Sequence, residues 1–163
     1  MKFFHLSADA YSFEFVRREK QMLFQVLDCY PLVPVAHHRL SRQSDPDGGQ
    51  QAWLEESLAA HRAETRQKVR QLMTNPGTFP PTGGGFHWTA TRGDLEWMLQ
   101  VLNDVRVGSW LALGSPDLAS AQAGQPTAET RERWMTMDLA GGFETIFIAA
   151  LGGELPAQAG EDS

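Results

Sequence analysis

The chain has 163 residues, 42% hydrophobic and 21% charged, which is enough for one domain with its own core and excludes a low-complexity or fibrous protein. Fourteen Lys+Arg against 20 Asp+Glu give a formal charge of −6, and no basic stretch stands out, so nonspecific phosphate or nucleic-acid binding is not expected. The single cysteine, Cys29, excludes an internal disulfide and a cysteine-based metal centre.

Residues 2–7 (KFFHLS) and 11–16 (YSFEFV) flank Ala8-Asp9-Ala10. Tyr11, Phe13 and Phe15 alternate with Ser12, Glu14 and Val16, which predicts a short antiparallel hairpin. A competing reading starts a helix near Ser12, because Phe15, Met22 and Val26 also fit helical spacing. Residues 17–29 form the first helix, with Met22, Leu23, Val26 and Leu27 on one face and Pro31 and Pro34 ending it. Residues 35–49 read as a polar loop. Residues 50–73 form a long amphipathic helix whose seam is Leu54, Leu58, His61, Thr65, Val69 and Leu72. Its charged residues mostly face outward, and Asn75-Pro76-Gly77 stops it.

After the Pro/Gly loop 75–85, FHWTAT (86–91) alternates and is expected to add a third strand. Thr91 and Asp94 form a capping arrangement for a helix over 92–113, which is apolar on nearly all sides and therefore central. A small-residue loop, 115–126, leads to a last helix over about 128–151. Gly141-Gly142 in its middle points to close approach by a neighbouring helix or a bulky Trp. Residues 1–153 are expected to form one domain and 154–163 a disordered tail. The fold expected is mainly α: an irregular four-helix bundle with a small antiparallel sheet of two or three strands.

The candidate site centres on Arg106. At 100° per residue, Leu95, Leu99, Leu102, Ser109, Trp110 and Leu113 lie within roughly 60° of one direction, and Arg106 falls in the middle of that stripe. A guanidinium keeps its proton and is costly to bury alone, so an inward Arg106 requires an anion or a wet pocket. Asp138 and Glu144, each within the apolar pattern of the last helix, are the candidate partners, and Asn103 completes the hydrogen bonding. Two readings follow: a polar pocket for an anionic ligand, or an internal ion pair that fixes helix register. If the pair is buried, Arg106→Ala is expected to cost about 3–5 kcal/mol.

Other chemistry is poorly supported. The Glu-x-x-His spacing of bundle metal sites is missing, and His61 reads as a core histidine, so no metal or cofactor is expected. Cys29 has only His37 or His38 as conceivable bases and reads as a small buried hydrophobe. Gly83-Gly84-Gly85 lacks the Lys-Ser/Thr of a phosphate loop, and no Gly-x-Ser-x-Gly occurs. Trp53, or Trp97 with Leu111, forms either an exposed dimer or partner surface or a second core layer. MKFFHLSADA lacks the apolar run of a signal peptide, and Trp134 to Leu151 is read as too short and too charged to cross a membrane. The chain is thus expected to be soluble and cytoplasmic.

The stretch Trp97-Met98-Leu99-Gln100-Val101-Leu102-Asn103-Asp104-Val105-Arg106-Val107 resembles a segment of an uncharacterised, mainly actinobacterial family, the domain of unknown function numbered two-thousand-seventeen. Phe13-Glu14-Phe15 before Lys20-Gln21-Met22-Leu23, and Glu144 within the Trp134–Leu151 helix, are similar to further pieces of that family. The Arg-x-x-Pro-x-x-Tyr stretch often found in its members is missing. The resemblance implies no activity and no catalytic residue. Family genes near that of the Clp protease adaptor imply a regulatory role linked to proteolysis. The function expected is a non-enzymatic regulatory or adaptor module, acting through contacts with a protein partner or as a homodimer; the alternative is a small-molecule or anion sensor around Arg106.

Overall fold

A computed structural model describes residues 1–7, 9–34, 49–116 and 127–153, with the side chains of residues 4–7 left aside. All of the expected 35–49 loop except Gly49, which begins a helix, together with its His37-His38, most of the 115–126 loop and the tail from 154 lie outside the described residues. Among the described residues the order is β1 (Lys2–Ser7), β2 (Ala10–Phe15), α1 (Arg17–Asp28), α2 (Gly49–Thr74), β3 (Phe86–Thr91), α3 (Arg92–Ala112) and α4 (Ala128–Gly152). The molecule is mainly helical, with four helices and one small antiparallel sheet in the order β1-β2-β3.

The period-two pattern at residues 11–15 prevails over the helical alternative there. Phe13 pairs with Phe3 on one side and Trp88 on the other, and Tyr11 pairs with Ala90. All five side chains are buried on one face, where Phe147 of α4 meets Phe13 and Trp88 edge-on at ring-centroid distances of 5.1 and 5.7 Å. Such contacts add to the area buried by each ring.

Local chemistry sets the helix starts. Glu19 accepts from the Val16 N–H at 2.9 Å at the head of α1. Thr91 Oγ1 accepts from the Asp94 N–H at 3.1 Å, and Asp94 accepts from the Thr91 N–H, also at 3.1 Å, which closes a capping box. Thr127 caps α4, and Gly153 ends it at φ 71°. Phe147, late in α4, packs on Trp88, just before α3, while Gly141 and Glu144 meet Arg106, late in α3. The two central helices therefore run antiparallel.

Three expectations need correction. The buried face of α3 is Leu95, Met98, Val101, Leu102, Val105, Gly108 and Ser109. That face is centred roughly 80° from the stripe expected to hold Arg106. An all-round apolar helix does not announce its inner side, and close packing chooses it: a Cβ on Gly108 would lie 2.6 Å from Leu32. Secondly, the Gly141-Gly142 step has no close neighbour. A Cβ on Gly141 would meet Arg106 Cδ at an ordinary 3.6 Å, and one on Gly142 would meet nothing. Thirdly, on the α2 seam Thr65 and Val69 are buried, Leu54, Leu58 and Leu72 are half-buried, and His61 is exposed rather than in the core.

Candidate functional site

One turn of α3, Asn103-Asp104-Val105-Arg106, holds two neighbours through polar groups. Arg106 Nε donates to Glu144 Oε2 at 2.8 Å, and Arg106 Nη2 donates to Asn103 Oδ1 at 2.9 Å. Three of the four candidate residues are thus brought together. Asp138 is not: it sits six residues before Glu144, roughly 120° around α4, and is exposed, with no ion pair to Arg106 among the described residues. The cluster also lies nearer the surface than expected, because the Arg106 side chain is 44% exposed and that of Glu144 12%. Burial pushes the Glu144 carboxyl above its ordinary value, and the Arg106 guanidinium only partly offsets this.

Asp104, missed at the sequence level, faces the other way. Its Oδ1 accepts from the Leu32 and Val33 N–H groups at 2.6 and 3.2 Å, which ties the turn after α1 to α3. Arg62 Nη2 of α2 donates to the Val33 carbonyl at 2.9 Å and holds the same turn from the opposite side. Burial raises the Tyr30 hydroxyl's pKa, against a hydrogen bond with Thr65 that lowers it. These groups border a cleft of about 150 Å³ between α2 and α3. The adjacency of Asp104 to Arg106 was the available signal.

Further clefts flank the sheet, two of which contain a lysine that stands over aromatic rings. One of about 400 Å³ lies between the end of α2 and β3, where Lys68 pairs with Asp94 at 3.4 Å and stands over the Trp97 ring at 4.3 Å. Trp97 is thereby half-covered rather than an open patch. His87 Nε2 lies 3.2 Å from Ser12 Oγ and 3.0 Å from Thr89 Oγ1. Ser12 is 1% exposed, so its hydroxyl cannot meet a substrate. The other cleft, about 680 Å³, contains Lys20, whose Nζ lies 3.9 Å from the Phe86 ring centre and 5.2 and 5.3 Å from those of Phe24 and Phe79. Arg106 borders none of these clefts.

Cys29 is half-buried and donates to the Gln25 carbonyl at 3.4 Å. Burial raises its thiol pKa despite the charge of Arg133, which disfavours the thiolate a nucleophile needs. Among the described residues no three His, Cys, Asp or Glu side chains cluster closely enough to hold a metal ion.

Three large apolar side chains of the α3/α4 pair are exposed among the described residues. By length and composition α4 could cross a membrane, contrary to the expectation for this segment, since its best window reaches a mean hydropathy of 1.2. Only 22% of that window is buried. Met135 and Ile148 are each 58% exposed, and Trp110, one turn beyond Arg106, is 40% exposed.

No family model, no curated protein and no solved structure matches this chain.

Proposed function

We propose that this chain is a soluble, non-enzymatic regulatory or adaptor module that binds a protein partner through the outer face of α3 and α4. The observation that carries the reading is the mismatch in α4 between its hydropathy and its burial. α4 leaves two large apolar side chains exposed, Met135 and Ile148, and exposed apolar surface on a charged, water-facing domain calls for a partner. Trp, Met and Arg are enriched at protein interfaces; Trp110 and Arg106 lie one turn apart on α3, and Met135 is exposed on α4, roughly 180° around that helix from Glu144. Asp138 and Glu144 within α4, and Arg131 and Arg133 near its start, favour a protein partner over a lipid core, where such charges are expensive. The resemblance of residues 97–107 to a family encoded beside a protease adaptor agrees with a regulatory role.

The anion-sensor reading has less support. Glu144 already occupies Arg106 Nε, and Asn103 occupies Nη2.

Affinity capture with the full chain, followed by reconstitution with the purified partner, tests the proposal. Met135→Glu together with Ile148→Glu should weaken the reconstituted complex at least about tenfold while leaving the circular dichroism unchanged. A complex indifferent to both substitutions overturns it.

A further inference from the structure

We propose that the cleft along α1 binds a small organic anion, a carboxylate head on a flat apolar body, with Lys20 and Arg17 as its counter-charges. The two lysines that stand over aromatic rings differ in one respect. Lys68 lies over Trp97 at 4.3 Å and is neutralised by Asp94 at 3.4 Å. Lys20 lies over Phe86 at 3.9 Å, with Phe24 and Phe79 at 5.2 and 5.3 Å, and among the described residues no carboxylate pairs with it. Glu19, its neighbour in sequence, is engaged with the Met1 amine and the Val16 N–H. The rings hold one side of the Lys20 ammonium, and its N–H donors on the other side are left for an incoming acid. Arg17, one turn earlier, borders the same cleft and forms no ion pair among the described residues.

The cleft supplies the rest. Its volume of about 680 Å³ lies within the roughly 300–1,000 Å³ of small-molecule pockets. Phe24, Phe86 and Met73, each half-buried, give it an apolar floor, and Phe79 carries that floor into the core by stacking on Trp88. Among the described residues Asp28 is the one acid on the rim, roughly 12 Å beyond Lys20 along the helix. Its charge sets the ligand's direction: the acid head lies at the Arg17–Lys20 end, and the apolar body runs over Phe24 towards Asp28. A free phosphate would use the cations alone, and a neutral aromatic molecule the floor alone. An apolar carboxylate uses both, which is how a few charged groups in an apolar cleft select a ligand.

The test uses the full chain and three probes: naphthoate, its neutral counterpart naphthalenemethanol, and inorganic phosphate. Calorimetry gives the affinities and amide NMR the location. Naphthoate should bind with a Kd at or below about 1 mM and shift the signals of residues 17–25 and Phe86. The neutral probe and phosphate should each bind at least about tenfold more weakly. Lys20→Met keeps an apolar stem over the rings and should weaken naphthoate binding at least about tenfold with the circular dichroism unchanged. Arg17→Gln, at an exposed position, should weaken it about threefold, and it decides the matter should Lys20→Met disturb the fold. Absence of shifts at this cleft up to about 10 mM naphthoate overturns the proposal. So does equal binding of the neutral probe, which would make Lys20 a mere cover for the rings, or equal binding of phosphate, which would leave the floor without a role. Affinity unchanged in the variants overturns it as well. The site does not rest on the α3/α4 face: Met135→Glu with Ile148→Glu should leave naphthoate binding unchanged, so the two proposals fail separately.

Discussion

Arg106 and Glu144 form an ion pair whose members sit in different surroundings: across a 2.8 Å contact, the guanidinium side chain is 44% exposed and the carboxylate side chain 12%. The arginine is held near water while the acid carries most of the desolvation. Arg106→Ala should therefore cost about 1 kcal/mol, the range of a partly exposed pair, and not the 3–5 kcal/mol of a buried one. It should also move the Glu144 titration further up, because the one cause holding it down is removed. Chemical denaturation and an NMR titration of the Glu144 carboxyl check both. A loss above about 3 kcal/mol would place the pair in a dry interior.

Asp104 is the more costly residue of this turn to remove. Asp104→Ala strands the Leu32 and Val33 N–H donors and should destabilise by about 2–3 kcal/mol. Asp104→Asn keeps an acceptor oxygen and should recover part of that. Urea denaturation of the two variants side by side distinguishes acceptor loss from loss of charge.

Stability should fall in acid through Asp94. Burial alone would raise its carboxyl, but the hydrogen bonds from Thr91 and the charge of Lys68 outweigh it and leave the pKa below the ordinary 3.8. A depressed folded value means that the contribution is complete above about pH 4 and disappears as pH falls through the folded value. Glu144 acts in the opposite sense. Its raised value makes the protonated acid the better-tolerated form, a contribution present below its ordinary 4.5 and lost as pH rises through the folded value. Melting temperatures of wild type, Asp94→Asn and Glu144→Gln between pH 2 and 7 should show the Asp94 difference closing in acid and the Glu144 difference closing near or below its ordinary value.

Two glycines should respond with opposite signs. Gly142→Ala, in open space within α4, should stabilise by about 0.5–1 kcal/mol. Gly108→Ala would drive a methyl to 2.6 Å from Leu32 and should destabilise by about 1–3 kcal/mol or more. Thermal melts of both variants check the signs.

The hairpin and the Thr91–Asp94 cap were legible because each rests on neighbours a few residues apart, and the third strand because its own alternation marks it, although its partner β2 lies far earlier in the chain. The inner face of α3 was not, since apolar residues encircle it and the deciding contact, Gly108 on Leu32, joins distant parts of the chain. Arg106, Asn103 and Glu144 were identifiable as opposite charges and an amide within apolar patterns. Their exposure depended on a rotation of α3 that periodicity left open. Asp104 went unread because its partners are backbone N–H groups some 70 residues earlier, and any residue other than proline offers one of those.

Thr91 closes β3 by pairing with Ala10 and, in the same residue, caps α3. No slack separates strand from helix at this joint. The sheet and α3 therefore behave as one stiff lever, and a force applied at the far end of α3 is delivered to the β2–β3 ladder instead of being absorbed by a hinge.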